Sequence, residues 1–175
     1  MIWDQFFEWL MTWESRSVTN HPSDPGGQTA WGISRRYHPN WGGWDLVDAG
    51  QTHTPDFEHW VSAFYRTQYW TLWERFSSRL APVVVDTAIN MGEVYAIQCL
   101  QDSLNRLAGS KYVYVDGRWG SQTSAAVRSS DQSSVALSMC ALRLAEYGRR
   151  GKNGDPRRVF LDGWINRVRS LMEVI

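Results

Sequence analysis

The chain has 175 residues, 43% of them hydrophobic, which is long enough for one compact domain with a sizeable core and short for two independent domains. Lys plus Arg and Asp plus Glu number 18 each, so no net charge draws the whole chain to nucleic acid or to an anionic surface. Cys99 and Cys140 lie far apart in helical patterns, which favours reduced core thiols over a disulfide framework or a metal knuckle.

The first predicted element is a helix over residues 3–13. Apolar side chains recur there at spacings of three and four, as on one face of an amphipathic helix: Trp3, Phe6, Phe7, Leu10 and Trp13. Asp4 and Glu8 interrupt the run, and a basic start and a small-residue cleavage site are both missing, so we expect no signal peptide. No other run has the length of a membrane span, and we expect a chain made in the cytoplasm without stable membrane insertion.

A small loop-rich or β lobe is predicted near residues 18–50. Its first part, TNHPSDPGG at residues 19–27, consists almost wholly of turn formers. Pro25 pre-sets one backbone angle there, and Gly26 accepts a positive one. The region that follows, up to Gly50, is rich in Trp and Gly and has little regular period. This lobe therefore interrupts a chain that is otherwise mainly α.

Helical patterns dominate the rest of the chain. Thr54 can cap a helix and Pro55 can occupy its first position, so we expect a helix from there to about Phe76. The segment YVYVDGRWGSQT breaks the pattern with a turn at Asp116 and Gly117. Further helices are expected over residues 81–91, 94–107, 123–128, 134–149 and 156–173.

Two carboxylates near the start of the chain have the chemistry of glycosidic cleavage. Glu14 continues the apolar side of the first helix, where loss of hydration favours a protonated carboxyl that can act as a general acid. Asp24 lies in a polar turn that favours its charged form, and Thr29 has a hydroxyl that can hold water. The pattern also allows a purely structural interpretation, with a helix-end charge, a turn cap and a strand residue at these three positions.

The stretch WESRSVTNHPSDPGGQTAWGIS, Trp13 to Ser34, resembles the signature of glycoside hydrolase family 108, which occurs in phage endolysins and secretion-associated muramidases. The resemblance implies that Glu14 is the essential catalytic residue. The order Glu, Asp, Thr is also similar to the E-x8-D-x5-T arrangement of phage lysozymes, although the gaps here are nine and four residues. Ser15 to Ser17 replace two glycines and an aromatic residue, so the chain leaves the helix without glycine's backbone freedom.

The resemblance covers most of the chain. Residues 65–70 and 83–92 look like the family's middle helices, and residues 160–168 are similar to its closing G-W-x-N-R. From Ala96 onward, AIQCLQDSLNRL and VDGRWGSQTSAAV resemble a peptidoglycan-binding segment. No Pro-, Gly- or Ser-rich linker separates the parts. We therefore predict one lysozyme-like domain over residues 1–175, in which residues 1–92 carry the catalytic motif and central helices and residues 93–175 are an integral binding-like segment.

The tryptophans divide into core and glycan-contact candidates. Trp3, Trp60 and Trp164 fit apolar helix faces and are predicted to be buried. Three others lie in the irregular lobe beside the predicted cleft, where an aromatic ring can stack on a sugar. These glycan-contact candidates are Trp31, Trp41 and Trp44.

Three polar residues complete the candidate substrate site. His21, beside the turn, is either a cleft residue or simply exposed. Asp86 and Asn90 lie four apart on one helix face and could line the glycan cleft, although Asn90 could equally brace a loop. No His, Cys and Asp cluster has metal-ligand spacing, so we expect neither a metal nor another cofactor.

The sequence and the resemblance together predict a monomeric muramidase that hydrolyses the β-1,4 bond between N-acetylmuramic acid and N-acetylglucosamine, with Glu14 as general acid. As a bacteriophage endolysin, a lysozyme with antimicrobial activity, it would remain in the host cytoplasm until a holin released it to the periplasm and cell wall for host lysis. Two alternatives stay open: a non-catalytic peptidoglycan-binding or structural module, and a chitin-type glycosidase of the same fold.

Overall fold

A computed structural model of the chain describes residues 1–20, 27–151 and 156–175, and these are mainly helical with a small antiparallel sheet. This confirms the predicted mainly α, lysozyme-like class with a small β lobe. The backbone forms two compact units. The N-terminal unit is Trp3–Thr71, and the C-terminal unit comprises Met1–Ile2 and Leu72–Ile175.

The N-terminal unit begins with helix α1, Trp3–Trp13, as predicted. Its apolar face is aromatic, and Phe6 and Leu10 have no exposed surface. The Trp70 ring stacks on Phe6 with centroids 5.0 Å apart and meets the Trp3 ring edge-on at 5.5 Å. Aromatic pairs of this kind add about 0.5–1.5 kcal/mol each beyond the area that they bury. The cluster therefore anchors α1 in this unit.

Three two-residue strands follow α1 in an antiparallel sheet of order β1-β2-β3. Their bounds are Val18–Thr19 for β1, Thr29–Ala30 for β2 and Ile33–Ser34 for β3. Trp31 and Gly32 connect β2 to β3, and both have positive φ, 47° and 82°. A two-residue hairpin turn of type I′ requires this pair of angles, because its twist matches that of the strands.

The short helix α2, Trp44–Asp48, precedes α3, Pro55–Tyr65. The Thr54 side chain caps α3 by accepting the Phe57 N–H, and Pro55 occupies its first turn, as predicted. The expected helical extent to Phe76 is wrong, because the α form ends at Tyr65 and a π-helix, Arg66–Trp70, follows. The wider π turn closes with Thr71 N–H donating to the Arg66 carbonyl, and it accompanies the burial of Trp70 in the aromatic cluster.

The C-terminal unit is helical, and its helices agree with the expected ones to within a few residues. Helix α4 is buried along Leu80–Ala88 and contacts both α5 and α7. The 3₁₀ turn Pro156–Phe160 takes the place of the predicted start of the last helix. The bounds of the helices are Leu80–Met91 for α4, Glu93–Ala108 for α5, Ser121–Ser129 for α6, Gln132–Arg150 for α7 and Leu161–Val174 for α8.

Asp86 of α4 lies in a fully buried ion-pair cluster rather than on an exposed face. One carboxylate oxygen accepts from Arg143 Nη2 at 2.7 Å, and the other accepts from Arg167 Nε at 2.8 Å. Burial alone raises the pKa of Asp86, but the two guanidinium groups outweigh it and hold that pKa below its ordinary value. A carboxylate with no exposed surface offers nothing for a glycan to touch, so this geometry favours a structural role for Asp86 over the predicted cleft contact.

Asn90, one turn further along α4, takes part in the same network. The Tyr147 hydroxyl of α7 donates to Asn90 Oδ1, and Arg143 Nη2 lies 3.4 Å from that hydroxyl. The Trp164 ring, which is half-buried, stacks on Tyr147 with centroids 5.1 Å apart. These contacts favour the bracing alternative for Asn90, because they tie α4 to α7.

The DGRWGSQT motif forms a turn that Gln101 of α5 holds in place. Gln101 Nε2 lies 2.9 Å from Asp116 Oδ1 and 3.1 Å from Thr123 Oγ1. Gln101 Oε1 accepts from the N–H of Gly117, whose φ of 73° suits a residue without a Cβ. A single buried amide thus organises the turn before α6.

Both cysteines are free and buried, in agreement with the expected core thiols. Burial raises the pKa of Cys99 to about 12 and that of Cys140 to about 11. The reactive thiolate is therefore scarce at neutral pH, which suits packing rather than chemistry.

Replacement of Asp86 by asparagine is expected to lower the free energy of unfolding by about 3–5 kcal/mol, because two buried arginines lose their counter-charge. Urea unfolding followed by circular dichroism measures the change. The matched control is Asp102→Asn, which removes an exposed i,i+4 pair with Arg106 worth about 0.3–0.5 kcal/mol. Equal losses in the two variants would contradict the structural role. The lowered pKa of Asp86 also predicts how stability depends on pH. Its contribution to the free energy of unfolding is fully present above its ordinary pKa of 3.8 and is lost as the pH falls through the lowered pKa.

We predict that residues 1–92 and 93–175 do not fold as separate fragments. A cut between them exposes Val83, Val84 and Val85, which have no exposed surface while α5 and α7 cover α4. Fragment 72–175 is the matched control, because it keeps α4 with both partners. Limited proteolysis should digest 93–175 faster than 72–175. Two soluble, protease-resistant pieces from the cut at 92 would show that the C-terminal part is detachable.

Candidate functional site

Glu14 directly follows the last residue of α1, and its half-buried side chain lies where the chain leaves the helix. Its N–H donates to the Leu10 carbonyl at 3.0 Å, which completes the last helical turn. Ser15 then adopts the left-handed conformation with φ of 63°. Left-handed backbone costs a non-glycine residue about 1–2 kcal/mol. Ser15 thus makes the turn that glycine makes in the signature this stretch resembles. The backbone strain lies next to the Glu14 carboxylate.

The carboxylate of Glu14 packs against the backbone of Gly32 in the β2-β3 turn. A Cβ built on Gly32 would lie 3.0 Å from Glu14 Oε2 and closer still to the Tyr65 hydroxyl. Only a glycine with φ of 82° lets the turn approach the two groups this closely. The hairpin therefore forms one wall of the Glu14 site.

The same turn is fixed from α3. The buried Tyr65 hydroxyl donates to the Trp31 carbonyl at 2.9 Å. Trp31 has a φ of 47°, which is strained for a bulky residue, and such strain persists only where the surroundings hold it. Its ring meets Phe57 edge-on at 5.5 Å, and the Arg16 guanidinium lies 5.3 Å above it. Trp31 is only 3% exposed, so it holds the turn and offers little surface for the predicted sugar contact.

Arg16 also fixes the segment that follows Glu14. Its guanidinium pairs with Glu8 of α1 at 2.9 Å and with Glu58 of α3 at 3.3 Å. These groups are partly exposed, so each pair contributes at most about 1 kcal/mol. The pairs and the stacking on Trp31 together orient residues 15–17 between two helices and the hairpin.

Thr29 lies in a row of hydroxyl groups across the sheet. The register pairs it with Thr19 on one side and Ser34 on the other. Residues directly opposite in an antiparallel sheet place their side chains on one face, about 4.5–5.5 Å apart. Thr29 Oγ1 donates to the Gly27 carbonyl at 3.3 Å. This polar row could hold a water molecule, as predicted for Thr29 alone.

His21 and Asp24 fall outside the described residues, so their predicted roles, and the separation of Asp24 from Glu14, stay predictions. Trp44 is 3% exposed, and its indole N–H donates to the His38 carbonyl at 2.7 Å. The Arg35 guanidinium lies 5.0 Å above that ring. Trp44 is therefore packed within the lobe, away from the sugar contact predicted for it.

The predicted burial of Trp60 is wrong, because its side chain is 45% exposed. The buried face of α3 consists of Phe57, Val61 and Tyr65, and Trp60 lies outside that stripe. Trp60 and the half-buried Trp41 line an open groove between α3 and residues 37–42. Of the three glycan-contact tryptophans, Trp41 is thus the one beside open surface.

The C-terminal unit has a groove of its own, of about 880 Å³, beside residues 109–115. Asn105 shapes this loop, since its Oδ1 accepts from the N–H groups of Tyr112 and Val113 at 2.8 Å each. Tyr114 is 79% exposed at the rim, and Lys111 supplies a cation. The groove thus combines aromatic and charged groups.

Within residues 1–20, 27–151 and 156–175, no group of three or more His, Cys, Asp or Glu side chains is placed to hold a metal ion. No helix in the same part of the chain is long and apolar enough to cross a membrane.

A mainly α chain with a small antiparallel sheet has the lysozyme-like fold class. Residues 7–92 match the family model of glycosyl hydrolase 108, and residues 95–169 match the model described as "Predicted Peptidoglycan domain". The family assignment to glycosyl hydrolase 108 thus applies to residues 7–92, and this pair of matches indicates a glycosidase that degrades peptidoglycan.

The fold is similar to that of SagA from Brucella abortus, with a TM-score of 0.67 over 98% of this chain and 91% of that one. The two sequences are 22% identical, so the likeness concerns the fold alone. No curated protein matches the chain.

Sequence reasoning missed three parts of the Glu14 site: Arg16, Gly32 and Tyr65. The TAWGIS stretch carried a signal for Gly32, because a glycine between two short strand-like segments indicates a tight hairpin turn. Such a turn allows the close approach to Glu14. Spacing on α3 indicates that Tyr65 is buried. Its hydrogen bond to a carbonyl 34 residues away in sequence has no local signature.

Gly32→Ala is expected to lower the rate of cell-wall lysis by about 10²-fold, because the added methyl displaces the Glu14 carboxylate or the Tyr65 hydroxyl. Gly50→Ala is the matched control, since Gly50 also has a positive φ of 72° but nothing within 4 Å of the added Cβ. It should lose about 1 kcal/mol of stability and keep its activity. Turbidity of outer-membrane-permeabilised cells measures the rates. Similar rates for both variants would disprove the role of the close approach.

Proposed function

We propose that the chain is an N-acetylmuramidase that hydrolyses the β-1,4 bond between N-acetylmuramic acid and N-acetylglucosamine in bacterial peptidoglycan, with Glu14 as general acid. The observation that carries this proposal is the fixed position of the Glu14 carboxylate against Gly32. A general acid works only if its proton is held within reach of the leaving oxygen. The turn, Tyr65 and Arg16 supply that rigidity from three directions.

In the proposed reaction, Glu14 donates its proton to the glycosidic oxygen as the bond from that oxygen to the anomeric carbon breaks. Asp24 accepts a proton from a water molecule that attacks the anomeric carbon from the opposite face. The Thr29 hydroxyl, in its polar row, orients this water. Such an inverting course requires a separation of roughly 6.5–9.5 Å between the two carboxyl groups, against about 5–5.5 Å for a nucleophile.

The binding partner that we propose for the C-terminal segment is the same polymer. Residues 95–169 match a peptidoglycan domain, and the loop groove offers Tyr114 for contact with sugar or peptide and Lys111 for a carboxylate of the stem peptide. Exposed aromatic and cationic side chains suit this mixed, partly anionic ligand. The protein would act as a monomer.

A phage endolysin is the biological role that we propose, because DPGGQTAWGI resembles the signature found in such enzymes. The enzyme would accumulate in the host cytoplasm and reach the periplasm and cell wall when a holin opens the membrane, which gives host lysis and an antimicrobial effect.

Glu14→Gln tests the proposal, since the amide keeps the shape of the side chain but cannot deliver the proton. We expect a loss of at least ~10²-fold in the clearing of permeabilised cells. Glu173→Gln, at an exposed position of α8, is the control and should stay close to the original rate. Circular dichroism confirms that both variants are folded.

Measurements of products, cleavage rates and binding separate the alternatives. Mass spectrometry identifies the new reducing end, and muramic acid is expected there. Chitin fragments cleaved faster than peptidoglycan would favour a chitin-type enzyme. Lysis at the original rate by the folded Gln variant would rule out Glu14, and sacculus binding without any cleavage by the unsubstituted chain would indicate a non-catalytic module. NMR of the first product should show the α-anomer if the reaction inverts.

A further inference from the structure

The N-terminal unit has an open aromatic groove of about 510 Å³, here called the α3 groove, between helix α3 and residues 37–42. Aromatic rings and amide side chains supply the lining that matters for binding. These residues are Tyr37, Asn40, Trp41, Trp60, Phe64 and Gln68.

The lining of the α3 groove has the chemistry of a carbohydrate site. Trp60 is 45% exposed and Tyr37 is 68% exposed, which is unusual for rings of this size in one place. Asn40 and Gln68 provide amide donors and acceptors, and the residues that line the groove include no Asp, Glu, Lys or Arg. Flat rings stack on the apolar face of a sugar, and amides bond its hydroxyl and N-acetyl groups. An anionic polymer or a lipid surface would require cations instead.

The rings of Trp41 and Trp60 in the groove are held in place by packing within the protein. The Trp60 ring packs on the backbone of Gly42, where an added Cβ would come within 2.6 Å of it. Trp41 meets Trp44 edge-on at 5.0 Å and Phe64 at 6.0 Å. Fixed rings lose little conformational entropy on binding, so this exposed surface is suited to binding a ligand.

The α3 groove lies on the other side of α3 from Glu14. Tyr65 reaches the Gly32 turn beside Glu14, and Glu58 pairs with Arg16, so both mark the side of α3 that faces the candidate active site. At about 100° per residue, Trp60 lies roughly 160° from Glu58 and roughly 140° from Tyr65 around the helix axis. A sugar in the groove is thus not at the Glu14 carboxylate.

We propose that the α3 groove is a second glycan-binding surface, which holds uncharged N-acetylglucosamine units of a peptidoglycan strand while Glu14 acts on another part of the polymer. The choice of ligand rests on the proposed muramidase function, whereas the carbohydrate chemistry of the groove rests on its lining. The predicted sugar contact of Trp41 belongs to this groove. Multiple contacts with one polymer raise the effective concentration of the remaining sites.

The test uses Glu14→Gln as background, so that bound polymer is not consumed, and measures co-sedimentation with purified sacculi. Adding Trp60→Ala should weaken binding about tenfold, as loss of a central Trp contact typically does. Trp60→Phe should restore most of the affinity, because a flat ring remains. Phe160→Ala, which removes an exposed ring that lines neither groove, is the matched control for a lost aromatic surface and should keep the affinity. With Glu14 intact, Trp60→Ala should cleave a short soluble peptidoglycan tetrasaccharide at the original rate.

Unchanged sacculus binding by the Trp60→Ala protein would overturn the proposal, and so would an equal loss of binding with Phe160→Ala. Should Trp60→Ala fail to fold, NMR of the Glu14→Gln protein with chitotetraose decides the question. Ligand should shift the side-chain N–H resonances of Trp60, Asn40 and Gln68, and the Trp60 resonance is identified by its absence from the Trp60→Phe spectrum. Unchanged resonances would overturn the proposal. Failure of the proposed function would give a different result. In that case the Glu14→Gln protein would still hydrolyse the tetrasaccharide, whatever the effect of Trp60→Ala on binding.

Discussion

The hydrogen bond from the Tyr65 hydroxyl to the Trp31 carbonyl is the contact on which the candidate active site depends. It is buried, so breaking it leaves a carbonyl without water, at a cost of about 1–3 kcal/mol. It also holds a bulky residue at positive φ, which in turn brings Gly32 against the Glu14 carboxylate. One contact between α3 and the hairpin thus holds a strained turn in place and fixes the position of the Glu14 carboxylate beside it.

The C-terminal unit uses charge for a different purpose. Asp86, Arg143 and Arg167 are all buried, and the two arginines leave an excess of one positive charge in the interior. A buried ion pair adds little net stability compared with apolar packing, but removal of one partner is costly. The cluster therefore fixes how α4, α7 and α8 meet, and this explains why a polar face of α4 need not signal a substrate site.

The molecule has two open grooves of different chemistry. The α3 groove is neutral and aromatic, whereas the loop groove of the C-terminal unit adds Lys111 to its exposed tyrosines. Peptidoglycan itself has this division, with uncharged sugars in the strand and carboxylates on the peptides. The family matches over residues 7–92 and 95–169 agree with a chain that degrades this polymer.

The sequence alone determined the helices, the small lobe and the placement of Glu14 at the end of α1, because these depend on local periodicity and on turn formers. Periodicity shows which face of a helix is apolar but not which partner covers it. The exposure of Trp60, the burial of Asp86 and the bond between Tyr65 and Trp31 were therefore decided only by tertiary structure. Each depends on side chains that are distant in sequence and meet only after the chain has packed.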